Sequence, residues 1–374
     1  MRLGIFLIAP CRPGCSPGEV LSQTVDAISA AEAAGFDDAW IAEHHFMTYG
    51  VCPSATTLAG VALGRTAKIA VGTAVATLST RHPVALAEEA AVLHHASGGR
   101  FLLGVGRGGP WRDLEVFGTG LPRFERGFAE GLDLLCAALS RNEVAADGEF
   151  FRFRRVPMMP PARLRPLVAC TSANTVRLAA ERGLPMLLGM HIDDAEKAAM
   201  IAQYERYAAA APTVPGAATA GAVPNGAVHG GHGVNGHVAA VVGHVADSTA
   251  AAVRELRTEM PRWLEPGLAG YVRVDGQGSS RTDAARYVER LCAIHPVGSP
   301  EHCVDVIQAT VAATGLRHLI LMVEGTASPD RTRENIARLG AEVLPRLREH
   351  GLRGREATLT GTAEQQSTGP GRGS

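Results

Sequence analysis

Several short runs of this chain carry side chains suited to chemistry. In Glu43-His44-His45-Phe46 two imidazoles sit side by side. An imidazole takes or gives a proton near neutral pH because its pKa lies there. At a strand end, adjacent side chains point to opposite faces, so at most one of the two enters a common site. A hydrogen-bonded pair of loop histidines is the plainer reading. Thr171-Ser172-Ala173-Asn174-Thr175 places hydroxyls where a helix would begin. Hydroxyls backed by free N–H groups at a helix start form an anion site, whereas plain N-capping needs only one of them. Two arginines, Arg107 and Arg126, could converge there, and two arginines with two hydroxyls suit a phosphate monoester.

Arg107 lies within Gly104-Val105-Gly106-Arg107-Gly108-Gly109, which matches GxGxxG by letters. A dinucleotide fingerprint belongs in the first βαβ unit, opens directly into a helix and is followed by an acidic residue capping the next strand. Here Pro110-Trp111 follows and no strand comes at the right distance. The run is read instead as a glycine loop carrying one cation. His229, His232 and His237 reach the count of a metal set, but they sit in Gly/Ala-rich sequence without Cys or carboxylate partners. His44, His45 and Cys52 lack a fourth ligand, so no metal is expected. No G-x-S-x-G elbow, Walker loop or H-E-x-x-H helix is present.

These runs need elements to hold them. Apolar runs at Gly4–Ala9, Asp38–Ala42, Ile69–Leu78, Phe101–Gly106, Leu167–Thr171, Met186–Met190, His237–Ala246 and His318–Val323 alternate with helical stretches. Eight β/α alternations predict a parallel TIM (β/α)8 barrel, with an open doubly wound sheet as the rival. Barrel chemistry sits at the carboxyl ends of the strands, where the runs above fall. Helix starts are expected at Ser16-Pro17-Gly18-Glu19, a capping box, at Pro83, at Asn174 and at Ser299-Pro300-Glu301. Residues 208–236 hold nine alanines, seven glycines and three prolines, too little apolar surface to offset chain entropy. They are expected to be a flexible insertion before the seventh strand of a single 1–350 barrel domain, with 351–374 a disordered tail.

With 374 residues, 46% of them apolar, the chain can bury a large core. A net charge of -1 gives no electrostatic case for nucleic acid or an anionic membrane, and no apolar run approaches a membrane span. The start resembles a signal peptide only until Pro10-Cys11-Arg12-Pro13 interrupts it. Seven cysteines without a CxxC pair fit free thiols in the cytoplasm.

Taken in order, Glu43-His44-His45-Phe46, Gly50, Pro53, Leu63-Gly64-Arg65-Thr66, Ile69-Ala70-Val71-Gly72-Thr73, His82-Pro83, Ser97-Gly98-Gly99-Arg100-Phe101, Gly104 to Gly108, Val116-Phe117-Gly118, Leu178-Ala179-Ala180, Gly183-Leu184-Pro185 and Val297 to Glu301 resemble the bacterial luciferase-like family of flavin-dependent monooxygenases. The resemblance runs from about residue 1 to 347 and lapses in 208–236. It implies a TIM barrel that takes reduced FMN at its mouth and, with O2, oxygenates a small substrate such as an aldehyde or ketone. It makes His44 the catalytic histidine and Arg107, Ser172 and Thr175 phosphate ligands, with Arg126 a third arm. It places a non-prolyl cis peptide at Ala74–Val75 beside the flavin. Gly106 stands where luciferase has a reactive cysteine, and Thr171 where luciferase has a carboxylate, so light emission is not carried over. A separate flavin reductase and a homodimer are implied as well. Two rivals share the fold: a deazaflavin-dependent oxidoreductase and a non-catalytic flavin-binding barrel.

Overall fold

The computed structural model describes residues 1–211, 236–271 and 283–349. In chain order the first half comprises β1 (Arg2–Leu7), α1 (Pro17–Ala33), β2 (Asp38–Ile41), α2 (Ala55–Arg65), β3 (Ala70–Thr73), β4 (Ala76–Thr77), α3 (Pro83–Ala96), β5 (Phe101–Leu102), β6 (Gly104–Gly106), α4 (Trp111–Val116), α5 (Gly120–Glu125) and α6 (Gly127–Ser140). A hairpin of β7 (Glu143–Asp147) and β8 (Arg152–Pro157) follows. The second half comprises β9 (Leu167–Cys170), α7 (Ala173–Glu181), β10 (Met186–Leu188), α8 (Asp194–Ala210), β11 (Val238–Val242), β12 (His244–Val245), α9 (Thr249–Ala269), α10 (Ala284–Ile294), β13 (Val297–Gly298), α11 (Pro300–Thr314), β14 (His318–Met322) and α12 (Pro329–Arg338).

Parallel pairing runs β4-β6-β9-β10-β11-β14-β1-β2-β3-β5. The third barrel strand is split into β3 and β4, and the fourth into β5 and β6. Because β3 pairs with β5 and β4 with β6, the sheet closes on itself as an eight-stranded barrel. The split in the third strand falls at Ala74–Val75, whose peptide is cis.

Alternation sorts the strand side chains into two layers. Val238, Ala240, Val242, Ile320 and Met322 join the interior cluster around Trp40. Their neighbours Ala239, Val241, Leu319 and Leu321 face the surrounding helices. At the amino end of the barrel Asp38 is fully buried, accepting bonds from Trp40 Nε1 at 2.7 Å and Arg2 Nη2 at 2.7 Å, with His318 Nε2 at 3.0 Å. Burial opposes its ionisation, but His318 and Arg2 outweigh that and hold its pKa at about 2. At the carboxyl end Met260, Trp263 and Leu264 of α9 pack onto the interior cluster, and Trp263 Nε1 donates to Gly325 O at 2.9 Å. Helix α9 therefore crosses the mouth.

Three local expectations are corrected. Ser16 is the N-cap residue of α1 but its side chain makes no capping bond; this exposed helix start can be satisfied by water. The β7–β8 hairpin was not expected, because its strand β8 is almost wholly exposed and lacks the alternation that marks a half-buried strand. Residues 208–210 belong to the end of α8 rather than to an insertion. The expected flexible insertion over 212–235 and the expected tail over 351–374 lie outside the described residues.

Candidate active site at the barrel mouth

The loop after β2 separates its two histidines. His44 donates its backbone N–H to Cys52 O at 2.9 Å, and its ring meets Tyr49 edge-on at 4.9 Å. Its Nδ1 is buried without a partner, and a Cβ on Gly50 would come within 2.5 Å of that atom. Only glycine lets the ring sit there. Burial pushes the His44 pKa down to about 4, with Glu43 opposing, so the ring is neutral at working pH. His44 also lines an open cleft of about 520 Å³ between the 46–53 loop and the end of α9.

His45 turns the other way. It is buried, 3.7 Å from Glu43 Oε1, with its ring edge-on to Phe117 at 4.9 Å. Glu43 is a bolt: Oε1 accepts Thr77 N–H at 2.9 Å, and Oε2 accepts Ala55 N–H at 3.1 Å and Arg81 Nη2 at 2.8 Å. Burial alone would raise its pKa, but His45, Arg81 and the two backbone donors bring it below the ordinary value. The loop is thereby tied to the start of α2 and to the carboxyl end of the third strand, which fixes where His44 points.

The anion-binding half lies across the mouth. Val105 pairs with Val168, so Arg107 and Ser172 leave the carboxyl ends of adjacent strands. The Arg107 guanidinium lies over the Phe124 ring at 4.3 Å and has no hydrogen bond or ion pair among the described residues. Ser172 caps α7 and accepts Thr175 N–H at 3.4 Å. Thr175 is buried; its hydroxyl donates to Ser172 O at 2.9 Å and lies 3.2 Å from the N–H groups of both Thr171 and Ser172. Thr175 thus shapes the turn, whereas Thr171 and Ser172 are exposed to the mouth. Gly106 faces the cis peptide: a Cβ there would meet Val75 Cγ2 at 2.6 Å.

Residues 1–318 match the sequence model described as luciferase-like monooxygenase. The chain belongs to the luciferase-like monooxygenase family. This luciferase-like monooxygenase is accordingly an oxidoreductase. It is 29% identical over 371 residues to an alkanal monooxygenase alpha chain from Photorhabdus luminescens, covering 93% of this chain and 98% of that one. It is 28% identical over 384 residues to 4-hydroxyprotoasukamycin monooxygenase of Streptomyces nodosus subsp. asukaensis, covering 98% and 97%. Among solved structures, the oxygenating constituent of 3,6-diketocamphane monooxygenase from Pseudomonas putida, in complex with FMN, superposes with a TM-score of 0.71 at 20% identity, covering 92% of this chain and 98% of that one. A monooxygenase from Streptomyces bottropensis reaches 0.75 at 21%, covering 92% and 99%.

In this luciferase-like monooxygenase the structure brings Ala74, Val75, Gly106, Arg107, Thr171 and Ser172 to the carboxyl ends of neighbouring strands. Arg126 is spent elsewhere: it is 59% exposed and paired with Glu149 at 2.7 Å, over the Phe150 ring. The glycine run opens into the six-residue α4, too short for a dinucleotide βαβ unit. His237 Nδ1 accepts Met186 N–H at 3.0 Å, and no group of three metal-ligating side chains occurs among the described residues. Among those residues no helix is long and apolar enough to cross a membrane.

Two mouth residues escaped the sequence reading. Glu324 follows the eighth strand, and its Oε2 accepts Ile8 N–H at 2.6 Å and Ala9 N–H at 3.1 Å. Burial pushes its pKa up to about 7 against those backbone bonds. A search for every polar residue just past a strand would have found it. Tyr49 had no such signal, because its place beside His44 depends on how the loop folds back.

Proposed function

We propose that this chain is the oxygenating component of a two-component system. It takes reduced FMN from a separate flavin reductase and, with O2, oxygenates a small organic substrate, an aldehyde or ketone. The observation that carries this reading is Arg107: a guanidinium at the barrel mouth without a carboxylate among the described residues, beside the exposed start of α7. The phosphate of FMN fits that donor set, held by Arg107, Ser172 and the first N–H groups of α7, with Thr171 alongside. Gly106 and the Ala74–Val75 peptide would face the ring. The bound flavin supplies the oxygen chemistry. His44, neutral in its buried setting, holds or moves a proton at the edge of the cleft. Helix α9 and the 46–53 loop limit entry of water. Cytoplasmic residence fits the seven free thiols. Association of two copies fits the exposed Val61 and Val92 on the adjoining helices α2 and α3.

The test combines the purified chain, FMN, NADH, labelled oxygen and a panel of aldehydes and ketones, with and without an added flavin reductase. Product carrying one labelled oxygen is expected only with the reductase. NADH oxidation by the chain alone would defeat the two-component reading. Reduction of a deazaflavin, with no oxygenated product from FMN, would transfer the assignment to a hydride-transferring relative.

A further inference from the structure

The loop between β1 and α1 carries two cysteines in the run Cys11-Arg12-Pro13-Gly14-Cys15. Proline followed by glycine suits the two central positions of a type II turn, the second of which needs a positive φ. Gly14 has a φ of 85°, and Cys15 N–H donates to Arg12 O at 3.0 Å, closing that turn. The chain is folded back on itself, which brings Cys11 beside Cys15. Cys11 Sγ lies 3.5 Å from Cys15 O and 3.8 Å from Arg12 O. Burial, and then the neighbouring Cys15 thiol, raise the Cys11 pKa.

The two thiols differ in access. Of the seven cysteines, all of them described, Cys15 alone is not buried. It lines a cavity of about 190 Å³ between the starts of α1 and α12, among the polar side chains of Ser16, Gln23 and Thr332. Such a cavity has room for several molecules the size of water, hydrogen peroxide among them. Burial pushes Cys52, Cys136, Cys170 and Cys303 up to about 12 and Cys292 to about 11, so they hold almost no thiolate at neutral pH. A peroxide therefore meets one accessible thiol, and Cys11 is the thiol beside it. A bond between positions 11 and 15 closes a small ring, adds little stability and is readily reduced.

We propose that Cys15 is a peroxide-reactive thiol, and that Cys11 resolves it into a reversible intrachain disulfide that loosens the rim of the cleft beside His44. The Cys15 sulfur attacks one oxygen of hydrogen peroxide and the O–O bond breaks, leaving a sulfenic acid and releasing water. The Cys11 sulfur then attacks the Cys15 sulfur, the S–O bond breaks and a second water leaves. In sum, two thiols and one hydrogen peroxide become one disulfide and two waters. Turning Cys11 Sγ toward Cys15 Sγ gives up its contacts with the Arg12 and Cys15 carbonyls and shifts the turn. That shift reaches the cleft because Cys11 N–H donates to Thr48 O at 3.0 Å, and Val51 N–H to Ala9 O at 3.0 Å. Thr48 and Val51 line the cleft together with Pro17 and His44. The thiol chemistry goes beyond the oxygenation proposed above and needs no bound flavin.

The experiment treats the purified full chain with hydrogen peroxide, alkylates the remaining thiols, cleaves after glutamate and weighs the peptide 1–19. Glu19 is the first glutamate, so this peptide holds Cys11 and Cys15 and no other cysteine. In wild type it should lose two hydrogens, escape alkylation and regain both thiols with dithiothreitol. Cys11→Ser should instead leave a sulfenic acid at Cys15 that dimedone traps. Cys15→Ser should keep Cys11 reduced at the same peroxide dose. Amide exchange over 46–53 should quicken by about 3- to 10-fold in the oxidised protein, the equivalent of one weakened backbone bond. Two alkylated thiols in peptide 1–19 after peroxide would overturn the inference. So would overoxidation of Cys15 with Cys11 still free, a Cys15 bond to a second chain on a non-reducing gel, or unchanged exchange over 46–53 in the oxidised protein. Thermal melts establish that the variants fold, and the wild-type peptide mass decides the matter without them.

Discussion

Replacing Arg107 by alanine separates a ligand-binding cation from a structural one. The guanidinium has no ion pair among the described residues and touches the protein chiefly through the Phe124 ring at 4.3 Å. That cation–π contact is worth about 0.5–1 kcal/mol at a part-exposed site, so Arg107→Ala should cost the fold no more than about 1 kcal/mol. Toward the FMN phosphate the same side chain would make charge-assisted hydrogen bonds worth about 1.5–3 kcal/mol, or roughly 10- to 100-fold in Kd. Flavin titration followed by protein fluorescence gives the Kd, and urea unfolding gives the stability. Arg126→Ala is the matched control. It breaks an exposed pair with Glu149, worth about 0–1 kcal/mol, and should leave FMN binding unchanged. Unchanged binding in Arg107→Ala, or an equal loss in Arg126→Ala, would refute the placement of the phosphate.

His44→Ala should lower turnover by on the order of 100-fold while FMN binding holds; steady-state rates with a supplied reductase check this, and a wild-type rate would remove His44 from the chemistry. Gly106→Ala should destabilise the fold by about 1–3 kcal/mol, because its Cβ meets the stiff Val75 side chain at 2.6 Å. Pairing it with Val75→Ala should restore stability in a melt, and no rescue would place the strain elsewhere. Acid should destabilise the protein through its buried histidines, partly offset by Glu324 and Asp113, whose raised pKa values make the folded chain take up protons in the same range. His44, His237 and His295 all have pKa values lowered to about 4, chiefly by burial. The unfolded chain therefore binds more protons between about pH 6.5 and 4, and stability present above that window is lost as pH falls through it, up to about 3 kcal/mol per histidine. A flat urea midpoint from pH 7 to 5 would contradict this.

Much of the architecture follows from local sequence. Eight apolar runs of strand length, separated by helical stretches, leave few arrangements other than a closed parallel barrel. The barrel strands lie within those runs, except that β1 begins two residues earlier at Arg2, because hydrophobic periodicity and turn residues are local properties. The placement of Glu43, His44, Arg107 and Ser172 just past strand ends was legible for the same reason. Strand β8 was not, since an exposed strand carries little periodic signal. The division of labour within the site was decided by tertiary contacts. His44 and His45 are adjacent in sequence, yet one packs on Tyr49 and Gly50 and the other on Glu43 and Phe117. Arg107 and Arg126 read alike as cations, but among the described residues only Arg126 finds a carboxylate, because the β7–β8 hairpin brings Glu149 to it. Thr175 and Ser172 read alike as hydroxyls, but the turn buries the first and leaves the second at the surface. A side chain's type sets what it can do; what it does here depends on the partners that distant strands and loops bring within a few ångströms.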